Sequence, residues 1–220
     1  MNYFVTGTDT DVGKTLISCA LLQAFAGQGL RVTGMKPVAC NEGAVSEDVR
    51  QLAASSNVQG MPGQVNPYFF ERAVAPHLAA ELSGVRINLE RIVQSYCELA
   101  TQADVVIVEG TGGYLLPLND QEDGADLARQ LKLPVIMVVG MRLGCINHAL
   151  LTSMAIAASG LKLAGWVANC VDKDMKMREE NIAALQQRIA GPLLGVVPNF
   201  KTLPDIKEVA KFLELSLLHA

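Results

Sequence analysis

Gly7-Thr8-Asp9-Thr10-Asp11-Val12-Gly13-Lys14-Thr15 carries the densest chemistry in the chain. An apolar run at 3–5 precedes it and a helical pattern from 16 to 28 follows. Strand, glycine-bearing loop and helix together suit a polyphosphate, because free backbone N–H groups and the helix start converge on the anion. Lys14 can reach the β- and γ-phosphates, and the Thr15 hydroxyl can hold Mg²⁺. Five residues separate Gly7 from Gly13, one more than in the simple pattern. Asp9 and Asp11 place negative charge beside the expected phosphates. That is costly unless the charge meets a metal, a water or a cationic group. Asp11 is thus either a substrate-facing acid or a solvated one.

Further candidates lie near the ends of other apolar runs. Lys36, in Met35-Lys36-Pro37-Val38-Ala39, can neutralise charge that develops during phosphoryl transfer, or else is a surface lysine. Glu109 follows the run at 105–108 and can coordinate Mg²⁺. The glycines of Gly110-Thr111-Gly112-Gly113 then form a turn that lets the backbone approach a ligand. Asp48, with Glu47 as its neighbour, reads by itself as an ordinary acid opening a helix. Gly144-Cys145-Ile146-Asn147 opens a helix at 147–159, suited to an anion or simply capped by Asn147. Arg142 is nearby and can equally be solvated. Asn169 has amide groups able to read an adenine edge. His77 and His148 are lone candidates for acid–base work.

These residues need a scaffold. Apolar runs at 3–6, 32–38, 105–108, 135–139, 163–169 and 193–197 read as strands covered on both faces. Amphipathic patterns at 14–28, 49–55, 89–102, 125–131, 147–159, 177–189 and 206–218 read as helices. Their alternation predicts an α/β fold of the P-loop NTPase type, a mostly parallel sheet with helices on both faces. No linker interrupts it, so 1–220 is expected to be one domain. Segment 40–76, rich in Gly and Pro, reads as a covering loop region over the active face.

Composition narrows the class. The 220 residues carry a net charge of −4, which gives no electrostatic footprint for nucleic acid or an anionic membrane. The apolar runs are too short to span a bilayer. Five scattered cysteines contain no CxxC pair, so neither a zinc site nor a disulfide framework is expected. With no signal-peptide pattern, a cytoplasmic protein is the expectation.

Taken in order, the motifs resemble those of the dethiobiotin synthetases, ATP-dependent enzymes of biotin biosynthesis. The resemblance spans nearly the whole chain. It rests on Thr6-Gly7-Thr8-Asp9-Thr10, Val12-Gly13-Lys14-Thr15, Lys36-Pro37-Val38-Ala39 and Val65-Asn66-Pro67-Tyr68. It continues in Val108-Glu109-Gly110-Thr111-Gly112-Gly113, Gly144-Cys145-Ile146-Asn147-His148-Ala149 and Gly165-Trp166-Val167-Ala168-Asn169. It implies that 7,8-diaminononanoate and CO₂ are joined with Mg-ATP to make a cyclic urea.

The resemblance also implies roles. Lys14 meets the triphosphate, and Thr15, Asp48 and Glu109 form the metal shell. Lys36 stabilises the carbamate and the transferring phosphoryl group, with Thr10 and Asp11 beside the diamine. Asp11, Val12, Gly13, Lys14, Thr15, Leu16, Gly110, Thr111 and Gly112 lie along ATP. Asn169, Cys170, Pro198, Asn199, Phe200 and Asp205 lie on its adenine side. Cys40 and Gly144, Cys145, Ile146 and Asn147 face substrate, the last four from the second subunit of a homodimer. Three features depart from the family: Cys40 replaces a common Ser, the loop after Cys40 is short, and Asn199 replaces a common aromatic residue. Glu47 is the alternative to Asp48. Corrinoid-synthesis amidoligases are a poorer match, because this chain has no room for their amidotransferase domain. Partner-positioning switch ATPases usually carry an early P-loop lysine where this chain has Asp9.

Overall fold

The computed structural model describes residues 1–202 and 204–219. Six strands form one sheet: β1 (Asn2–Gly7), β2 (Val32–Met35), β5 (Val105–Gly113), β6 (Val135–Gly140), β7 (Leu163–Asn169) and β8 (Leu193–Val197). Their spatial order is β2-β5-β1-β6-β7-β8, and every pairing is parallel. The two remaining strands, β3 (Val38–Cys40) and β4 (Tyr68–Phe70), pair with each other.

Alternating side chains explain why both faces are covered. Phe4, Val106, Val108 and Met137 belong to one core cluster, while Tyr3, Val5, Ile107 and Val138 belong to the other. Helices α5 (Leu89–Ala100), α6 (Gly124–Leu131), α7 (Cys145–Ala158) and α8 (Arg178–Gln186) supply the first cluster, through Ile92, Leu127, Ala149 and Leu185. The second is packed by α1 (Lys14–Gly27), α2 (Glu47–Ser55) and α9 (Ile206–Ala210), through Phe25, Leu52 and Val209. Strand order reverses about β1, which opens a crevice at the carboxyl ends of the strands.

Several expected boundaries change. The single strand expected at 32–38 ends at Met35, because Pro37 has no N–H to continue a ladder. Lys36 N–H instead donates to Val65 O (2.8 Å), and the chain resumes as β3. The turn expected at 110–113 is part of β5, with a register shift against β1 between Val5 and Gly7. Segment 40–76 is more regular than a covering loop: it holds α2, the short α3 (Pro62–Val65) and β4. A further short helix, α4 (Pro76–Leu82), follows. Helix α7 begins at Cys145 with Gly144 as its N-cap, so capping by Asn147 is excluded. The helix expected at 206–218 is two pieces, α9 and a 3₁₀ helix at Leu215–His219.

Candidate active site

The P-loop spans the gap between β1 and α1. Gly13 is the N-cap of α1 at φ 88°, and no side chain caps that helix. A Cβ at Gly13 would lie 2.2 Å from Asn169 Nδ2, so both conformation and space require glycine. Asn169 Nδ2 donates to Val12 O (2.8 Å) and ties the end of β7 to the loop. Asp11 adopts the left-handed region at φ 58° and is exposed. Lys14 is buried, and its Nζ donates to Asp9 O (2.9 Å). Burial, then the neighbouring Lys36 ammonium, push the Lys14 ammonium down to about 8.

Beside this loop three elements meet at one carboxylate. Glu109, on β5, is fully buried. Its Oε1 accepts from Lys36 Nζ (2.5 Å) and from Thr15 Oγ1 (2.8 Å). Lys36 Nζ also lies 3.0 Å from Asp48 Oδ2, at the start of α2, and donates to Gly110 O (3.3 Å). Burial works against the Lys36 charge, but Glu109 and Asp48 outweigh it and hold the ammonium above the ordinary lysine value. Burial likewise raises Asp48, yet Lys36, Thr15 and Lys14 bring its carboxyl below the ordinary value. Glu47 turns to Arg50 instead (3.0 Å) and is well exposed.

The same groups have the chemistry of a Mg²⁺ site. Glu109 Oε2 is buried without a hydrogen-bond partner, an expense that a cation would relieve. Thr15 offers a hydroxyl and Asp48 a second carboxylate at the same place. No cluster of three or more His, Cys, Asp or Glu suited to a metal exists among the described residues. Two carboxylates and a hydroxyl nonetheless fit Mg²⁺, which takes its other ligands from phosphates and water.

A cleft of about 460 Å³ opens over this cluster. Thr10, Asp11, Gly13, Lys14, Thr15, Lys36, Cys40, Asp48, Glu109, Thr111 and Gly112 all line it. Burial raises the Cys40 thiol to about 11, so it is neutral there. Thr111 Oγ1 donates to Val38 O (2.5 Å), and Gly112 alone in its run takes the left-handed region (φ 61°).

The remaining candidates lie elsewhere. Leu16 packs into the α1-side core. Cys170 is buried, and its N–H donates to Val197 O (2.9 Å), just before Pro198. Asn199 Nδ2 donates to Val171 O (3.1 Å), and Phe200 meets Phe212 edge-on at 6.3 Å. Asp205 caps α9 by accepting from Lys207 N–H (3.0 Å). In the run from Gly144 to Asn147, Cys145 N–H is taken by Arg142 O (3.0 Å), Ile146 is half-buried and Asn147 is exposed. His77 Nδ1 is buried without a partner, and His148 is exposed on α7.

The partners of two residues escape sequence reasoning. Asn66 Nδ2 donates to Lys36 O (2.6 Å) and Tyr68 O (3.0 Å), bracing the break after β2. The adjacent Pro67 marks a turn but discloses no partner. Arg142 forms an ion pair with Asp9, which no local pattern reveals across a separation of 133 positions.

Comparison with known proteins places this architecture. A family described as "AAA domain" matches residues 1–207. An ATP-dependent dethiobiotin synthetase BioD from Nitrosospira multiformis is 51% identical, over 97% of this chain and 95% of that one. Another so named, from Aromatoleum aromaticum, is 53% identical over 90% of each. Among solved structures, the MinD cell division protein of Aquifex aeolicus covers 99% of this chain and 93% of that one at TM-score 0.60 and 15% identity. A ParA family ATPase from Chlorobium tepidum covers 98% and 92% at TM-score 0.58 and 13% identity. Those two likenesses concern the fold alone, that of the P-loop NTPases. With half of its residues identical over nearly its full length, the chain belongs to the ATP-dependent dethiobiotin synthetase family.

Proposed function

We propose that residues 1–220 work as a single catalytic domain that closes the cyclic urea of dethiobiotin from 7,8-diaminononanoate, CO₂ and ATP. The observation that carries this reading is the meeting of Lys36 and Thr15 on one buried oxygen of Glu109. One substrate amine adds to CO₂ and loses a proton, giving a carbamate. A carbamate oxygen attacks the γ-phosphorus of ATP, and ADP leaves. The second amine attacks the carbamoyl carbon, phosphate leaves with the oxygen, and the ring closes. Ring closure is intramolecular and therefore gains a high effective molarity.

The residues divide this work. Lys14 and the N–H groups from Asp11 to Leu16 hold the triphosphate. Lys36, charged at every working pH because two carboxylates raise its pKa, is a fixed positive charge beside the carbamate and the moving phosphoryl group. Thr15, Asp48 and Glu109 would hold Mg²⁺, which when bound neutralises phosphate charge. Thr10 and Asp11 line the same cleft as Lys36, where Asp11 can meet a substrate ammonium, and Cys40 borders that space. Gly110, Thr111 and Gly112 follow the ligands with backbone. Asn169, Cys170, Pro198, Asn199, Phe200 and Asp205 flank the adenine.

Gly144, Cys145, Ile146 and Asn147 of a second copy would receive the distal carboxylate, which makes the protein a homodimer. An apolar face at α7 supports this: Leu143, just before the helix, is 96% exposed, and Leu151 and Met154 are 57% and 69% exposed. No helix among the described residues is long and apolar enough to cross a membrane. A cytoplasmic setting suits a soluble biosynthetic enzyme and the five free thiols. Phosphate release from Mg-ATP tests the reading: it should require both diamine and bicarbonate. Equal release without the diamine would point to an ATPase of another kind.

A further inference from the structure

The P-loop of this chain contains a carboxylate, Asp9, at a place where negative charge opposes a triphosphate. Three bonds fix it. Its Oδ1 accepts from Thr10 N–H (2.7 Å), and its main-chain O accepts from Lys14 Nζ (2.9 Å). Its Oδ2 is paired with Arg142 Nη2, from the segment between β6 and α7. Thr10 and Asp11 line the nucleotide cleft, whereas Asp9 does not. Arg142 is anchored in turn, since its O accepts Cys145 N–H (3.0 Å) and Met141 N–H donates to Asn169 O (2.7 Å).

We propose that Arg142 is a positioning residue for the nucleotide: by pairing with Asp9 it cancels the loop's carboxylate charge and keeps that residue's carbonyl where Lys14 is held. Both partners are half-exposed, so the pair contributes little to global stability. Its effect is local. An unpaired Asp9 carboxylate repels the incoming polyphosphate and attracts Lys14, the cation that the phosphates require. The proposal rests only on nucleotide binding by the P-loop, not on the identity of the second substrate.

The test is ATP affinity, measured by calorimetric titration of the full chain with Mg-ATP. Arg142→Gln should weaken binding about tenfold. Arg142→Lys, which keeps the charge, should stay within about threefold of the parent. The double variant Arg142→Gln with Asp9→Asn should recover most of the lost affinity, because the repelling charge is gone. An unchanged Arg142→Gln would overturn the proposal. So would a double variant as weak as Arg142→Gln alone, since Arg142 would then act on the phosphates directly. A parent chain that fails to bind Mg-ATP would instead overturn the nucleotide reading of the loop. Thermal melts of each variant should agree within a few degrees, which separates positioning from unfolding.

Discussion

Lys36 shows how strongly a residue's role depends on its surroundings. On a strand read at 32–38 it is one lysine in an apolar run. In the structure it is 4% exposed and faces two carboxylates. Lys36→Ala should lower kcat about 10²–10³-fold, the scale of removing one preorganised electrostatic group. ATP affinity should change only a few-fold. A variant with normal kcat would remove Lys36 from the chemistry. The same substitution leaves the buried Glu109 without its cation, which costs roughly 3–5 kcal/mol, so turnover must be read well below the melting temperature. Lys14 gives a pH prediction with a definite sign. Its folded value of about 8 lies below the ordinary 10.5. The unfolded chain therefore holds that proton more tightly, and stability from this group rises between about pH 8 and 10.5. ATP needs the charged form, so affinity should fall as pH rises through about 8. Lys14→Met should bind weakly and lose that break; a break retained in the variant would assign it to another group.

At the scale of elements, the sequence discloses β1, α1, β6 and β7 well because each is a long apolar or amphipathic run bounded by turn residues. It does less well where covalent detail overrides pattern. Pro37 interrupts an apolar run that hydropathy alone continues, and the break turns Lys36 toward Glu109. The glycines from 110 to 113 read as a turn, but parallel pairing with β1 reaches Gly113. Asp48 was legible only through family resemblance, because its partner Lys36 is supplied by tertiary folding. Helix α7 makes the prediction proper to this scale. Leu151 and Met154 lie three residues apart on its exposed side. On the proposed homodimer, replacing both with Asp should give a monomer in analytical ultracentrifugation and raise KM for the diamine. A variant that remains dimeric would place the interface elsewhere.

Over the whole molecule, a parallel sheet with two packed faces brings distant residues to one edge. Thr15 and Glu109 are 94 positions apart, and Asn169 and Val12 are 157 apart. Asn169 ends β7, Val12 lies on the loop after β1, Thr15 opens α1 and Glu109 stands midway along β5, so the fold itself assembles the crevice. The central claim is that this crevice makes a urea from a diamine. Incubation with diaminononanoate, ¹³C-bicarbonate and Mg-ATP tests it most directly. Mass spectrometry should find dethiobiotin carrying one labelled carbon, with one ADP formed per product and none of the product when the diamine or ATP is left out. ATP consumed with no labelled product would contradict the account.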